Sequence, residues 1–242
     1  TGVQTCALPI FPSRLPLPDQ RWFVNPANTP PPRPEIVTYP STDGVGVRWN
    51  HTGFVEYAVA YYRGANHGPS FKLNPGFVYT VLEQRYSRIE MIGGDAALPL
   101  PWLTLKLEGA RFRALDPYSD DYFEFVAQLE RQTGEWSFVG GYAGTAVTKR
   151  GSQLGVFDPN LGLTRTVVAR VGYTIDANRS IAVESAARQN GRGLWTKAEY
   201  TEAFGQHWRL TLGSSLIRGH AGDFLGQYRR NSHGLTALRY SF

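Results

Sequence analysis

Cysteine is almost absent from this 242-residue chain: Cys6 is the only one, so neither a disulfide framework nor a cysteine-based zinc site can be built within it. Long hydrophobic runs are absent as well. No stretch reaches the roughly 18 apolar residues that a membrane-crossing helix needs, which excludes a helical span. Clustered charge is the third absence. The formal charge is +5, from 25 Lys and Arg against 20 Asp and Glu, yet the basic residues are scattered, which argues against nucleic acid as a partner. What is present is 42% hydrophobic and 13% aromatic residues, too much apolar surface for a disordered chain. A mean hydropathy of −0.31 shows that these residues are interleaved with polar ones.

The interleaving is regular. From Gly44 onward the sequence repeats one unit, a run of alternating apolar and polar residues followed by a break rich in Gly, Asn, Asp or Pro. Eleven runs are predicted as strands: 43–50, 53–63, 86–97, 102–114, 121–131, 135–147, 164–175, 179–190, 194–204, 207–218 and 233–242. Strands of soluble sheets average about five or six residues, whereas a tilted strand crossing a bilayer takes about nine to eleven. The connections alternate between tight ones, such as 132–134, 176–178 and 205–206, and mostly longer polar ones, such as 64–85, 115–120, 148–163 and 219–232. Outer-membrane barrels have that asymmetry, short on the periplasmic side and long outside.

Each run has one oily and one polar face. Trp208, Leu210, Leu212 and Leu216 oppose Arg209, Thr211, Gly213 and Ser215, and Val167, Val171 and Tyr173 oppose Arg170 and Thr174. Only 86–97 is ambiguous in phase, because Gly93, Gly94 and Asp95 blur it. A soluble barrel would alternate too, with its apolar set inward, and alternation does not say which set faces in. Aromatics gathered near run ends, at Trp49, Tyr57, Tyr61, Trp102, Phe123, Trp136, Tyr173, Trp195, Trp208 and Tyr240, favour interfacial girdles and hence the membrane.

The closing segment HGLTALRYSF, with Leu238, Tyr240 and Phe242 on one face, resembles the C-terminal strand of Gram-negative outer-membrane β-barrels, and the hairpins before it are porin-like. The resemblance implies that Leu238, Tyr240 and Phe242 form the signal read by the barrel-assembly machinery. It also implies a location in the bacterial outer membrane. The opening segment TGVQTCALPI, residues 1–10, resembles a translated sequencing adapter and is set aside as an artefact. The fold class expected is all-β, an antiparallel up-and-down transmembrane β-barrel. Single-chain bacterial barrels have even strand numbers, so eleven visible strands imply an N-terminally truncated barrel of 12 or more, about 14 to 16. Residues 11–42 read as an irregular segment, with Leu17 to Val24 the tail of a cut strand and 25–42 a proline-rich loop.

If the polar face lines a lumen, the candidate pore-lining residues are Arg48, Glu56, Glu90, Lys106, Glu108, Glu124, Glu130, Arg170, Glu184, Arg188, Lys197, Glu199, Arg209 and Arg239. Charges of both signs on such a wall either guide solutes or pair across strands. Phe224, Leu225 and Tyr228 are apolar for a loop and suggest that 222–233 folds back into the lumen. No enzyme is expected: the five histidines fall mostly in turns or loops, and Ser232 and His233, adjacent on one strand, point to opposite faces. Asp116, Asp120 and Asp121 are a weak calcium motif, so neither metal nor cofactor is expected. The glycines of GGYAG, 140–144, lack the strand-to-helix context of a phosphate loop and read as relief of curvature or room for large neighbours. The function expected is a porin-like channel for passive passage of small polar or charged solutes. The alternatives are a plugged structural or adhesive barrel and the barrel of a receptor-type transporter. Expected partners are outer-membrane lipid, lipopolysaccharide, small solutes and, as an assembly, a homotrimer.

Overall fold

An alternating strand is held extended only when its neighbours take up its backbone N–H and C=O groups, and in this chain eleven strands do so for one another. The computed structural model describes residues 36–38, 44–66, 70–75, 80–151, 165–189, 192–220 and 223–241. Its elements are β1 (Ile36–Thr38), β2 (Val45–His51), β3 (Glu56–Ala65), β4 (Ser70–Pro75), β5 (Thr80–Arg85), β6 (Arg88–Pro99), β7 (Thr104–Ala114), β8 (Asp121–Thr133), β9 (Trp136–Lys149), β10 (Thr166–Thr174), β11 (Arg179–Arg188), β12 (Leu194–Phe204), β13 (Trp208–Arg218), a 3-10 helix η1 (Gly226–Asn231) and β14 (His233–Tyr240).

The large sheet runs β14-β13-β12-β11-β10-β9-β8-β7-β6-β3-β2, every pair antiparallel. It is an up-and-down meander, and each of its strands answers to one of the eleven predicted runs. Among the described residues the sheet does not close on itself: β2 and β14 are its two edges. The phase left ambiguous at 86–97 is continuous, because β6 pairs without a register shift on both sides despite Gly93 and Gly94.

The connection 64–85 is not a plain loop, as expected from sequence. It carries the hairpin β4-β5, and β1, inside the predicted loop 25–42, adds to β5 in parallel. Six-residue strands are of ordinary length for a small sheet, and a search for bilayer-long runs passes over them. The segments 1–10 and 17–24 lie outside the described residues.

Exposure settles the question that alternation left open. On β3 the set Ala58, Ala60, Tyr62 and Gly64 is buried or half-buried, while Tyr57, Val59, Tyr61 and Arg63 are exposed. On β9, Ser137, Val139, Gly141, Ala143 and Thr145 are half-buried, whereas Trp136, Phe138 and Ala146 are exposed. Within one layer, the difference seen on these two strands fits curvature, the less exposed set lying on the concave side; β2 is exposed on both faces and β12 half-buried on both. The convex side holds the large apolar residues, among them Val47 at 65% exposure, Val59 at 52% and Leu238 at 62%. That is the reverse of a soluble barrel.

Glycine makes room for rings on the convex face. A Cβ at Gly144 would come within 2.5 Å of the Phe125 ring, and one at Gly109 within 3.0 Å of the Phe123 ring. Gly144→Leu is therefore expected to cost about 1–3 kcal/mol by overpacking, read as a lower urea midpoint for the folded protein. At Gly140 nothing lies within 4 Å of a Cβ, so Gly140→Ala is the contrasting control.

Candidate functional site

The concave face is where charge converges. Direct cross-strand partners share a face, so the register alone assigns each side chain to one side. It puts Arg48, Glu56, Lys106, Glu108, Glu124, Glu130, Arg170, Glu184, Arg188, Lys197, Glu199, Arg209 and Arg239 together on the concave side, where Arg188 is buried and most of the others are exposed. Glu90 does not join them. It pairs with Arg63 and Arg113 on the convex face, in the same set as Ile92, and this corrects its inclusion in the lining. Asp95 takes its place: it lies opposite Glu108 and binds Arg48 at 2.6 Å across β3. The sequence hid Asp95 behind its two preceding glycines.

Part of this charge is paired along or across strands. Lys106 Nζ is 2.8 Å from Glu130, whose carboxylate also accepts a hydrogen bond from Gln128 at 2.8 Å. Lys197 Nζ is 2.7 Å from Glu199. Arg170, Glu184 and Lys197 face one another on three successive strands, alternating in sign. Arg209 and Arg239 instead lie directly opposite each other, like charges at the tight-turn end. A like-charged cross-strand pair is unfavourable by itself and offers a counter-anion two donors.

At the other end the wall is covered. Arg188 is 1% exposed at its side chain and donates to Asp223, itself 4% exposed, at 2.7 Å. The Phe224 ring lies 5.5 Å from the guanidinium carbon. Asp223 also accepts backbone N–H groups of Leu225 and Gly226, and Ser232 accepts the N–H of Ile217. The segment 223–232 is thus strapped onto the sheltered face, so Arg188 holds a loop instead of facing open water. Burial pushes the Tyr228 hydroxyl to a higher pKa than usual within the same strap.

The remaining candidates fall as follows. Asp116 caps the backbone N–H groups of Tyr118 and Ser119, Asp120 binds Arg150 and the N–H of Gly151, and Asp121 accepts the N–H of Ala114. These carboxylates organise the loop ends. His233 faces Ser215 across the strands, but its Nδ1 is engaged by the Asn231 carbonyl, and the Ser215 hydroxyl accepts the Trp195 indole N–H. Trp195 is on the sheltered face, unlike the other aromatics expected at the girdle. Six of those others gather at the tight-turn end of the convex face, with Trp49–Tyr57 at 5.5 Å, Trp136–Tyr173 at 4.6 Å and Trp208–Tyr240 at 4.9 Å, whereas Tyr61 lies in mid-strand, Phe123 lies at the opposite end beside the connection 115–120, and Trp102 lies in the turn before β7. Leu238 and Tyr240 share that face, and Phe242 lies outside the described residues. In the turn 175–178, the hydrogen bond donated by Arg179 holds the Asp176 carboxyl below its ordinary pKa.

No protein-family profile matches the chain, and no curated protein matches it. Among solved structures it is similar to outer membrane phospholipase A from Escherichia coli, at 9% identity and a TM-score of 0.41, covering 81% of this chain and 76% of that one. No residue role is carried over from it.

Proposed function

We propose that this chain forms the wall of a porin-like β-barrel of the bacterial outer membrane, through which small polar or charged solutes pass passively. One observation carries the reading: thirteen of the candidate lining charges share one face of the sheet while the large apolar residues share the other, interrupted by charge at the long-connection end of β3, β6 and β7, an arrangement that suits a water-filled lumen and a surrounding bilayer. Strand lengths of 9 to 14 residues from β3 and from β6 to β13 agree with a tilted crossing. Tight turns at one end of the strands and long connections at the other support a periplasmic side and an outer side respectively, and the aromatic cluster at the tight-turn end suits an interface there. Leu238 and Tyr240, exposed on the last strand, are the surface offered to the assembly machinery.

In this reading the pairs Arg48–Asp95, Lys106–Glu130, Arg188–Asp223 and Lys197–Glu199 satisfy one another, and selectivity rests on the other concave charges. Arg209 and Arg239 are the foremost of these, a paired cation at the periplasmic mouth. The test is single-channel conductance in a planar bilayer under a salt gradient. Discrete conductance steps with anion preference are expected, and Arg209→Ala combined with Arg239→Ala should move the reversal potential toward cations with little change in folded yield. A folded, inserted protein that carries no current would sink the channel reading.

A further inference from the structure

Arg209 and Arg239 are set apart from the other cations of the concave lining. Arg48, Lys106, Arg188 and Lys197 each hold a carboxylate at 2.6–2.8 Å, and Arg170 lies directly opposite Glu184. Arg209 and Arg239 lie opposite each other on β13 and β14, both exposed, and among the described residues neither guanidinium enters an ion pair or a hydrogen bond. The Cα atoms of such a cross-strand pair are about 4.5–5.5 Å apart, so the two guanidiniums rise from neighbouring points of the wall.

Their surroundings leave the charge uncancelled. Ala203 completes the same row on β12, and the next row away from the tight turns is Thr201, Thr211 and Ala237. The nearest carboxylate on the concave side of these three strands is Glu199, two rows away or about 13 Å along the strand, and Lys197 already holds it at 2.7 Å. Glu202 is on the other face, opposite Arg179. Ala203 and Ala237 leave room for a ligand, and Thr201 and Thr211 set hydroxyls one row farther into the lumen.

The shape of the two donors selects the anion. A guanidinium donates as a planar fork to two oxygens at once. Chloride offers no edge to a fork, and a carboxylate offers one edge and one charge, which leaves the second arginine unmatched. A doubly charged tetrahedral oxyanion presents an edge to each fork and cancels both charges. Phosphate monoesters take that form at neutral pH, because their second pKa is about 6.

We propose that Arg209 and Arg239 form a binding site for the dianionic phosphate group of phosphate monoesters, which makes phosphorylated small molecules the solute class favoured at this mouth. The proposal rests on the channel reading for the place of the site at the periplasmic mouth of a lumen, and on the pairing of the two arginines for its chemistry.

The test titrates glycerol phosphate, a monoester, and dimethyl phosphate, a singly charged diester, into the folded protein in zwitterionic detergent at constant ionic strength, with heat release as the readout. Saturable binding of one monoester per chain is expected, tighter than that of the diester by about tenfold or more. Arg209→Lys combined with Arg239→Lys keeps both charges and removes both forks, so monoester binding should weaken about tenfold while gel mobility shows the protein still folded. Equal binding of monoester and diester overturns the proposal, as does undiminished binding by the double variant, since either outcome shows recognition of charge without the fork. Anion-selective current without monoester binding would refute this site and leave the channel reading standing. Monoester binding by a protein that carries no current would uphold the chemistry of the site and refute the channel.

Discussion

Val183→Arg is expected to lose most of its assembled, heat-modifiable form, while Ala182→Arg, one residue away, keeps it. Val183 is 42% exposed in mid-strand and lies directly opposite Val171 on the convex face. In a bilayer that surface touches hydrocarbon, where an arginine near the midplane costs about 2–4 kcal/mol. Ala182 points to the other side, where it faces Gly172 on one neighbour and Glu199 on the other. A guanidinium there has water, space and a carboxylate. Folding yield into vesicles, read by gel mobility before and after heating, separates the two. If both variants fold equally well, or Ala182→Arg fails and Val183→Arg does not, the faces have been assigned the wrong way round. A soluble barrel would give that second result, so the pair tests orientation and not merely tolerance.

The second large effect is expected at the strap. Asp223→Ala should destabilise the segment 219–232 by about 3–5 kcal/mol, because it leaves the Arg188 cation at 1% exposure without its carboxylate partner. The strap would then lift from the concave face. Limited proteolysis should cut within 219–232 at rates well above those of the unaltered protein, and conductance steps should grow if the strap narrows the path. Replacing both partners with apolar residues, Arg188→Met with Asp223→Leu, should restore resistance to protease, since a buried pair can often be exchanged for packing at little cost. Should the double variant be as labile as Asp223→Ala, the strap depends on the charge pair for more than its burial. The same strap accounts for a feature of the sequence, Phe224, Leu225 and Tyr228 in a loop, as residues that fold back onto the wall, with Leu225 8% exposed.

The fold was legible because its repeat is local. Period-two alternation, turn residues and the inequality of the connections are all written within about ten residues of one another, and they located every strand of the large sheet. Continuing the alternation from Leu105 and Leu107 would also have found Arg111 and Arg113 on the oily side, since parity carries through β7 without a shift. The small sheet of β1, β4 and β5 was not legible in the same way. Its strands are short, and the parallel pairing of Ile36–Thr38 with Glu83–Arg85 joins segments far apart in the chain, for which no local pattern exists.

The sequence by itself thus determined that this is a meander of long antiparallel strands, each with one oily and one polar side. Tertiary structure alone decided which side is concave, and with it which charges share that side. It also decided the pairings that give those charges their roles: Arg48 with Asp95 and Arg188 with Asp223, while Glu90 is held among arginines on the convex face. The physical reason is that alternation fixes only the relation of a residue to its chain neighbours. Curvature and cross-strand register are properties of many strands together, and they arise only when segments distant in sequence compete for the same backbone hydrogen bonds.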